Sequence, residues 1–140
     1  MKNKKPRICI VASLFNQEYV DGMLDTALKV LKGCDVHVVR VPGAFEIPLA
    51  IQRCIAKHKP QVAIALGLIW KGKTMHADLM SYTITDALMR ISLEKDVPII
   101  HQVLTVQTET EAKARCFGKN LNRGREAAEA VLYLLEETKK

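Results

Sequence analysis

The chain reads as an α/β protein: a three-layer sandwich with a four-stranded parallel sheet flanked by helices on both faces. Three observations predict it. Strand-length apolar runs alternate with longer segments whose apolar residues recur at helical spacing. The strand-like runs are almost continuously apolar, as strands covered on both faces require. The 140 residues, 49% of them hydrophobic, suit one domain over 1–140 with a sizeable core.

The elements follow in order. Ile8–Leu14 is a short strand. From Glu18 to Lys32 a helix is expected, with Val20, Met23, Leu24, Ala27, Leu28 and Leu31 inward and Gly33 closing it. Val36–Val41 is a β-branched second strand. Pro48 to about His58 forms a helix, with proline suited to the first turn and Lys57 and His58 near the end. Val62–Leu66 is the third strand, and a long helix follows His76 with Leu79, Thr83, Ala87, Leu88 and Ile91 on one face. Val97–Leu104 is the fourth strand, and a helix opens near Thr108. After a break near Gly118, a last helix runs from about Asn122 to Glu137 with Ala127, Ala128, Val131, Leu132 and Leu135 inward. Parallel sheets bind ligands at the carboxyl ends of their strands. Phe15 and Asn16, Ala44 to Glu46, Gly72 to His76, and His101 with Arg115 further on all fall after strands or toward their ends.

The formal charge of +6 is carried largely by terminal residues, including Lys2, Lys4, Lys5, Arg7, Lys139 and Lys140, which read as solvated tails. No basic stripe interleaves with aromatics, so nucleic acid is not an expected partner. Cys9, Cys34, Cys54 and Cys116 lack the spacing of a zinc site or a secreted disulfide framework. Cys9 and Cys54 are expected to be small core residues. With no signal segment or membrane span to be read, a cytoplasmic protein without membrane contact is expected.

Gly67-x-x-x-x-Gly72-Lys73-Thr74 matches the P-loop pattern of nucleotide hydrolases. A P-loop curls its backbone around phosphate, which favours small residues between the glycines. Here Leu68, Ile69, Trp70 and Lys71 fill that interval and read as the end of a strand. No second apolar strand ends in an aspartate to help hold Mg²⁺. The pattern points instead to an anion-binding turn feeding His76.

Five blocks in order carry a family resemblance: SLFNQEYVDGML (13–24), VPGAFEIPLA (41–50), ALGLIWKGKTMHADLM (65–80), VPIIHQVLTVQTETEAKAR (97–115) and NRGREAAEA (122–130). VPGAFEIP is the most specific. Together they resemble the 6,7-dimethyl-8-ribityllumazine synthases, over almost the whole chain. The resemblance implies a flavodoxin-like sandwich. It also implies condensation of 5-amino-6-(D-ribitylamino)uracil with 3,4-dihydroxy-2-butanone 4-phosphate, with neither metal nor organic cofactor.

The resemblance assigns roles residue by residue. His76 is the expected proton shuttle, histidine being the commonest general acid–base. Phe15 would stack on the pyrimidine, with Asn16 beside it. Ala44, Phe45 and Glu46 would meet the ribityl chain, and Leu68, Ile69 and Trp70 would wall the ring. His101 and Gln102 would reach a neighbouring subunit's substrate. Gly72, Lys73 and Thr74 form the anion turn. Arg115, whose planar fork suits two phosphate oxygens, would anchor the phosphate with Lys119 nearby. Arg123 and Glu126 occupy family positions near the subunit contact. Several residues depart from the family pattern: His101 stands for a common Phe, Gln102 for a glycine, Arg123 for a lysine and Trp70 for an aliphatic, and Met75 and Ala77 flank the histidine. The resemblance further implies a homo-oligomer, a pentamer with active sites between subunits. Its pentamers stay single, pair as decamers or close into a sixty-subunit capsid, and the sequence leaves these three open. Three other readings stand beside this one: an archaeal-type riboflavin synthase of the same fold, an ATP-dependent phosphotransferase, and a non-catalytic lumazine or flavin binder.

Overall fold

A computed structural model describes residues 4–139; Lys2 and Lys140, read above as tail charges, lie outside the described residues. The strands are β1 (Arg7–Ser13), β2 (Asp35–Val41), β3 (Val62–Trp70) and β4 (Ile99–Val106). The helices are α1 (Gln17–Val30), α2 (Ile47–His58), α3 (His76–Lys95), α4 (Glu109–Phe117) and α5 (Arg123–Glu137), with one 3₁₀ turn at Ala44–Glu46 before α2. All strand pairs are parallel and the order is β2-β1-β3-β4.

Strand period two divides the core. Ile8, Ile10, Ala12, Ile64, Leu66 and Leu68 pack against α1, α4 and α5. Cys9, Val11, Ala63, Ala65 and Ile69 pack against α2 and α3. The expected three layers are therefore present.

The strand ends differ from the sequence reading. β3 continues four residues past Leu66, because Gly67 to Trp70 pair with Val103 to Val106 of β4. Gly67 packs closely there: a Cβ would stand 3.2 Å from Ile47 Cδ1 and 3.3 Å from Val103 Cγ1, so those side chains would have to give. β4 begins at Ile99 rather than Val97, since Pro98 has no N–H to give a ladder and offers only its carbonyl, to Ala63 N.

α3 shows the largest departure. Ala77, Ile84, Leu88 and Ile91 face inward, whereas Leu79 and Thr83 are exposed. The helix carries two apolar stripes on opposite sides, and the sequence reading merged them. Leu132 likewise points outward from α5. Cys9 and Cys54 are buried as expected but are joined in a disulfide between β1 and α2, a pairing that arises only because α2 lies over β1.

α5 starts at an internal cap: Asn122 accepts from Arg125 N (3.0 Å) and donates to Cys116 O (3.2 Å), so its buried amide is satisfied. Gly124 then lets α5 meet α1 backbone to backbone, since a Cβ there would stand 2.6 Å from the Met23 carbonyl carbon. Gly124→Ala should cost about 1–3 kcal/mol of stability, because the obstacle is backbone and cannot swing aside. Urea unfolding measures this, and an unchanged midpoint would show that the two helices separate freely.

Candidate active site

β1 and β3 are neighbours, but the chain leaves them toward different elements, so a crevice opens between their carboxyl ends. Beyond β1 the pairing with β2 continues for two residues, Leu14 N to Val41 O (2.7 Å) and Phe15 N to Pro42 O (2.9 Å). Arg40 braces this corner, donating to Ala12 O (3.2 Å), Ser13 O (3.0 Å) and Asp21 (2.7 Å). Phe15 is thereby held beside the Pro42–Gly43 turn with 69% of its surface exposed.

Asn16 follows with φ 61°, a left-handed conformation asparagine tolerates better than most residues. Its amide donates to Leu68 O (2.7 Å) and accepts from Trp70 Nε1 (3.1 Å), tying the start of α1 to the end of β3. Trp70 meets Tyr19 edge-on at 5.6 Å, which fixes the indole from the other side.

Phe15, Ala44, Phe45, Glu46, Leu68, Ile69, Trp70 and His76 surround one cleft of about 510 Å³, joined by Gly43 and Met80, which the sequence reading did not single out. This volume suits a small organic ligand. Phe45 is exposed like Phe15. Glu46 accepts from Gly43 N (2.9 Å), which holds its carboxylate at the cleft wall and leaves further lone pairs for a ligand. His76 opens α3 and is exposed, its N–H donating to Thr74 Oγ1 at 3.4 Å. Gly72, Lys73 and Thr74 form the exposed turn before it. The P-loop reading fails on geometry, because Leu68 to Trp70 are strand and cannot curl around phosphate.

The remaining predicted residues lie elsewhere. Arg115 lines a second, polar cleft of about 600 Å³ with Lys71, Thr85, Thr105 and Glu111, and the two clefts share no lining residue. Thr105 Oγ1 in this cleft is buried without a partner among the described residues. His101 is turned onto α3: its Nδ1 accepts from Val103 N (3.1 Å) and its Nε2 meets Thr85 Oγ1 at 2.7 Å. Because Val103 N–H occupies Nδ1, the neutral ring carries its proton on Nε2 and donates to Thr85. Gln102 lies opposite Leu66 in the β4–β3 register and lines neither cleft. Lys119 is exposed and its carbonyl accepts from the Arg125 guanidinium, while Arg123 is paired with Glu126 at 2.9 Å.

Another groove of about 540 Å³ runs beside β2, where the His37 and His58 rings stand 3.5 Å apart. It flanks the edge strand, whereas the strands' carboxyl ends deliver His76 to the first cleft. Among the free thiols, burial pushes Cys116 up to about 11, with Arg115 offsetting only part of the rise, so it is no nucleophile at neutral pH.

The comparisons with known proteins agree with one another. The family model for 6,7-dimethyl-8-ribityllumazine synthase matches residues 5–139. A protein of that name from Salinibacter ruber is 38% identical over 133 residues, covering 91% of this chain and 85% of its own. Its namesakes from two strains of Stenotrophomonas maltophilia are each 34% identical over 134 residues, covering 92% of this chain and 86% of their own.

The half-buried His101 supplies a pH prediction. Burial pushes its imidazole below the usual 6.5, so beneath that pH the unfolded chain takes up a proton that the folded chain resists. This part of the stability is complete above pH 6.5 and is lost as pH falls through the folded value. Urea unfolding at about pH 7.5 and about pH 5.5 should show the native chain losing more stability than His101→Gln. Equal losses would contradict the tautomer and burial described here.

Proposed function

Because the chain belongs to the 6,7-dimethyl-8-ribityllumazine synthase family, we propose that it makes that lumazine from 5-amino-6-(D-ribitylamino)uracil and 3,4-dihydroxy-2-butanone 4-phosphate. The observation that carries this reading is the cleft between the carboxyl ends of β1 and β3. There an exposed aromatic, a carboxylate and a histidine face one ligand-sized space.

The chemistry assigns each group its work. The primary amine of the pyrimidine adds to the ketone, and loss of water leaves an imine. Proton loss next to the imine lets phosphate depart, and the second nitrogen then closes the ring with loss of another water. Every step moves protons, so the chemistry calls for no redox centre. His76 takes and returns those protons at the cleft mouth. Phe15 stacks on the pyrimidine, Trp70 and Ile69 wall it, and Glu46 accepts ribityl hydroxyls. The turn from Gly72 to Thr74 and the fork of Arg115 hold the phosphate, with Lys119 adding charge.

Arg115 and His76 line clefts with no residue in common, which supports a site whose machinery is divided between two copies. The site is completed when the polar cleft of a second copy meets the first cleft. His101 and Gln102, on β4, belong to that second half. The outer stripe of α3 supports packing between copies: Met75, Leu79, Tyr82, Met89 and Leu93 are 60–79% exposed at coiled-coil spacing, with Asp86 in the same row. A cyclic ring of such heterologous contacts, a pentamer, is the assembly we assign, alone or built into larger shells. We place the protein in the cytoplasm; among the described residues no helix is long and apolar enough to cross a membrane.

The assay combines purified protein and both substrates without metal or ATP. Lumazine absorbance should rise in step with phosphate release, and no product under conditions where a known synthase works would remove the activity. His76→Ala should slow turnover by about 10²- to 10⁴-fold, the usual worth of a general acid–base. Arg115→Ala should chiefly raise KM for the phosphorylated substrate. Unchanged kinetics in either variant would strike that residue from the mechanism.

A further inference from the structure

Arg115 does not stand free in its cleft. Its Nη1 donates to Glu111 Oε1 at 3.2 Å, one turn back along α4, and both side chains are about one-third exposed (31% and 34%). Across the same cleft, Lys71 meets Asp78 at 3.4 Å. Each of the two cations lining the cleft thus has a carboxylate of its own, and the four formal charges cancel. A phosphate dianion entering this cleft must therefore compete with these carboxylates for the cations.

α4 itself offers a comparison. Glu109 and Lys113 share the same spacing at 2.8 Å, but both are more than half exposed (66% and 58%) and neither lines the cleft. Their bond holds the Glu109 carboxyl below its ordinary range, as in a solvated helix pair. Glu111 and Arg115 instead face the space where the anion is to bind.

We propose that Glu111 is an internal counter-ion that competes with the phosphoryl group for the Arg115 guanidinium. This rests on the reading of Arg115 as the phosphate anchor. Between turnovers the carboxylate occupies one arm of the fork. An incoming phosphate displaces it, and its return helps inorganic phosphate leave. Glu111 touches no reacting atom and acts through Arg115. Its effect therefore falls on phosphate affinity and leaves affinity for the uncharged pyrimidine partner alone.

The test measures inorganic phosphate as a product inhibitor of the assembled enzyme, together with KM for each substrate. Glu111→Gln should lower both the phosphate inhibition constant and KM for the phosphorylated substrate by about two- to fivefold, the scale of one partly exposed charge pair. KM for the pyrimidine should stay unchanged. Glu109→Gln, which removes the same charge from the outer face of α4, should change neither. The Glu111→Gln effect should vanish on an Arg115→Ala background. Overturning results are unchanged or weaker phosphate binding in Glu111→Gln while Arg115→Ala weakens it, or an equal gain from Glu109→Gln. Phosphate inhibition untouched by Arg115→Ala would instead remove the anchor itself, and this proposal with it. Glu111→Ala gives the same readouts if the glutamine variant fails to fold, which circular dichroism reports.

Discussion

The placement of β3 beside β1 governs what the rest of the molecule can do. β1 feeds α1 on one face of the sheet, and β3 feeds α3 on the other, so the chain parts between them and leaves a crevice at their carboxyl ends. Asn16 closes the floor of that crevice by bonding Leu68 O and the Trp70 indole, and Arg40 pins the carbonyls that end β1. These contacts hold Phe15 open to solvent on one wall while α3 starts with His76 on the other. Phe15 and Phe45 are both largely exposed at the rim of this crevice, and the proposed pyrimidine would cover Phe15.

The same topology separates the two clefts. α4 follows β4, on the far side of β3 from β1, and carries Arg115 into the polar cleft, which shares no lining residue with the first. α3 then serves twice. Its inner stripe of Ala77, Ile84, Leu88 and Ile91 covers the sheet, and its outer stripe faces away with Leu79, Tyr82, Met89 and Leu93. In the proposed assembly one helix thus couples the fold of a copy to its contact with the next.

Much of this was legible in the sequence, and the failures have physical causes. Strand and helix order follows from periodicity, and the site at the strands' carboxyl ends follows from parallel topology. The extension of β3 to Trp70 was less visible, because it depends on partners in β4. Two opposed apolar stripes on α3 looked like one, which put Leu79 and Thr83 on the wrong face. The Cys9–Cys54 link needs the packing of α2 on β1; in a reducing compartment the same pair would stand as two buried thiols, the role the sequence suggested. The spacing of Glu111 and Arg115 was readable, but their orientation toward the polar cleft was not, since that depends on how α4 sits against β4.

The central claim is that His76 of one copy works with Arg115 of another. The most direct measurement mixes two inactive variants, His76→Ala and Arg115→Ala, unfolds and reassembles them together, and assays at limiting phosphorylated substrate. If sites span two copies, an equal mixture recovers about a quarter of native activity, because chance pairs an intact His76 half with an intact Arg115 half that often. If each copy held a whole site, the mixture would stay as inactive as its parents, and the two-copy account would be wrong.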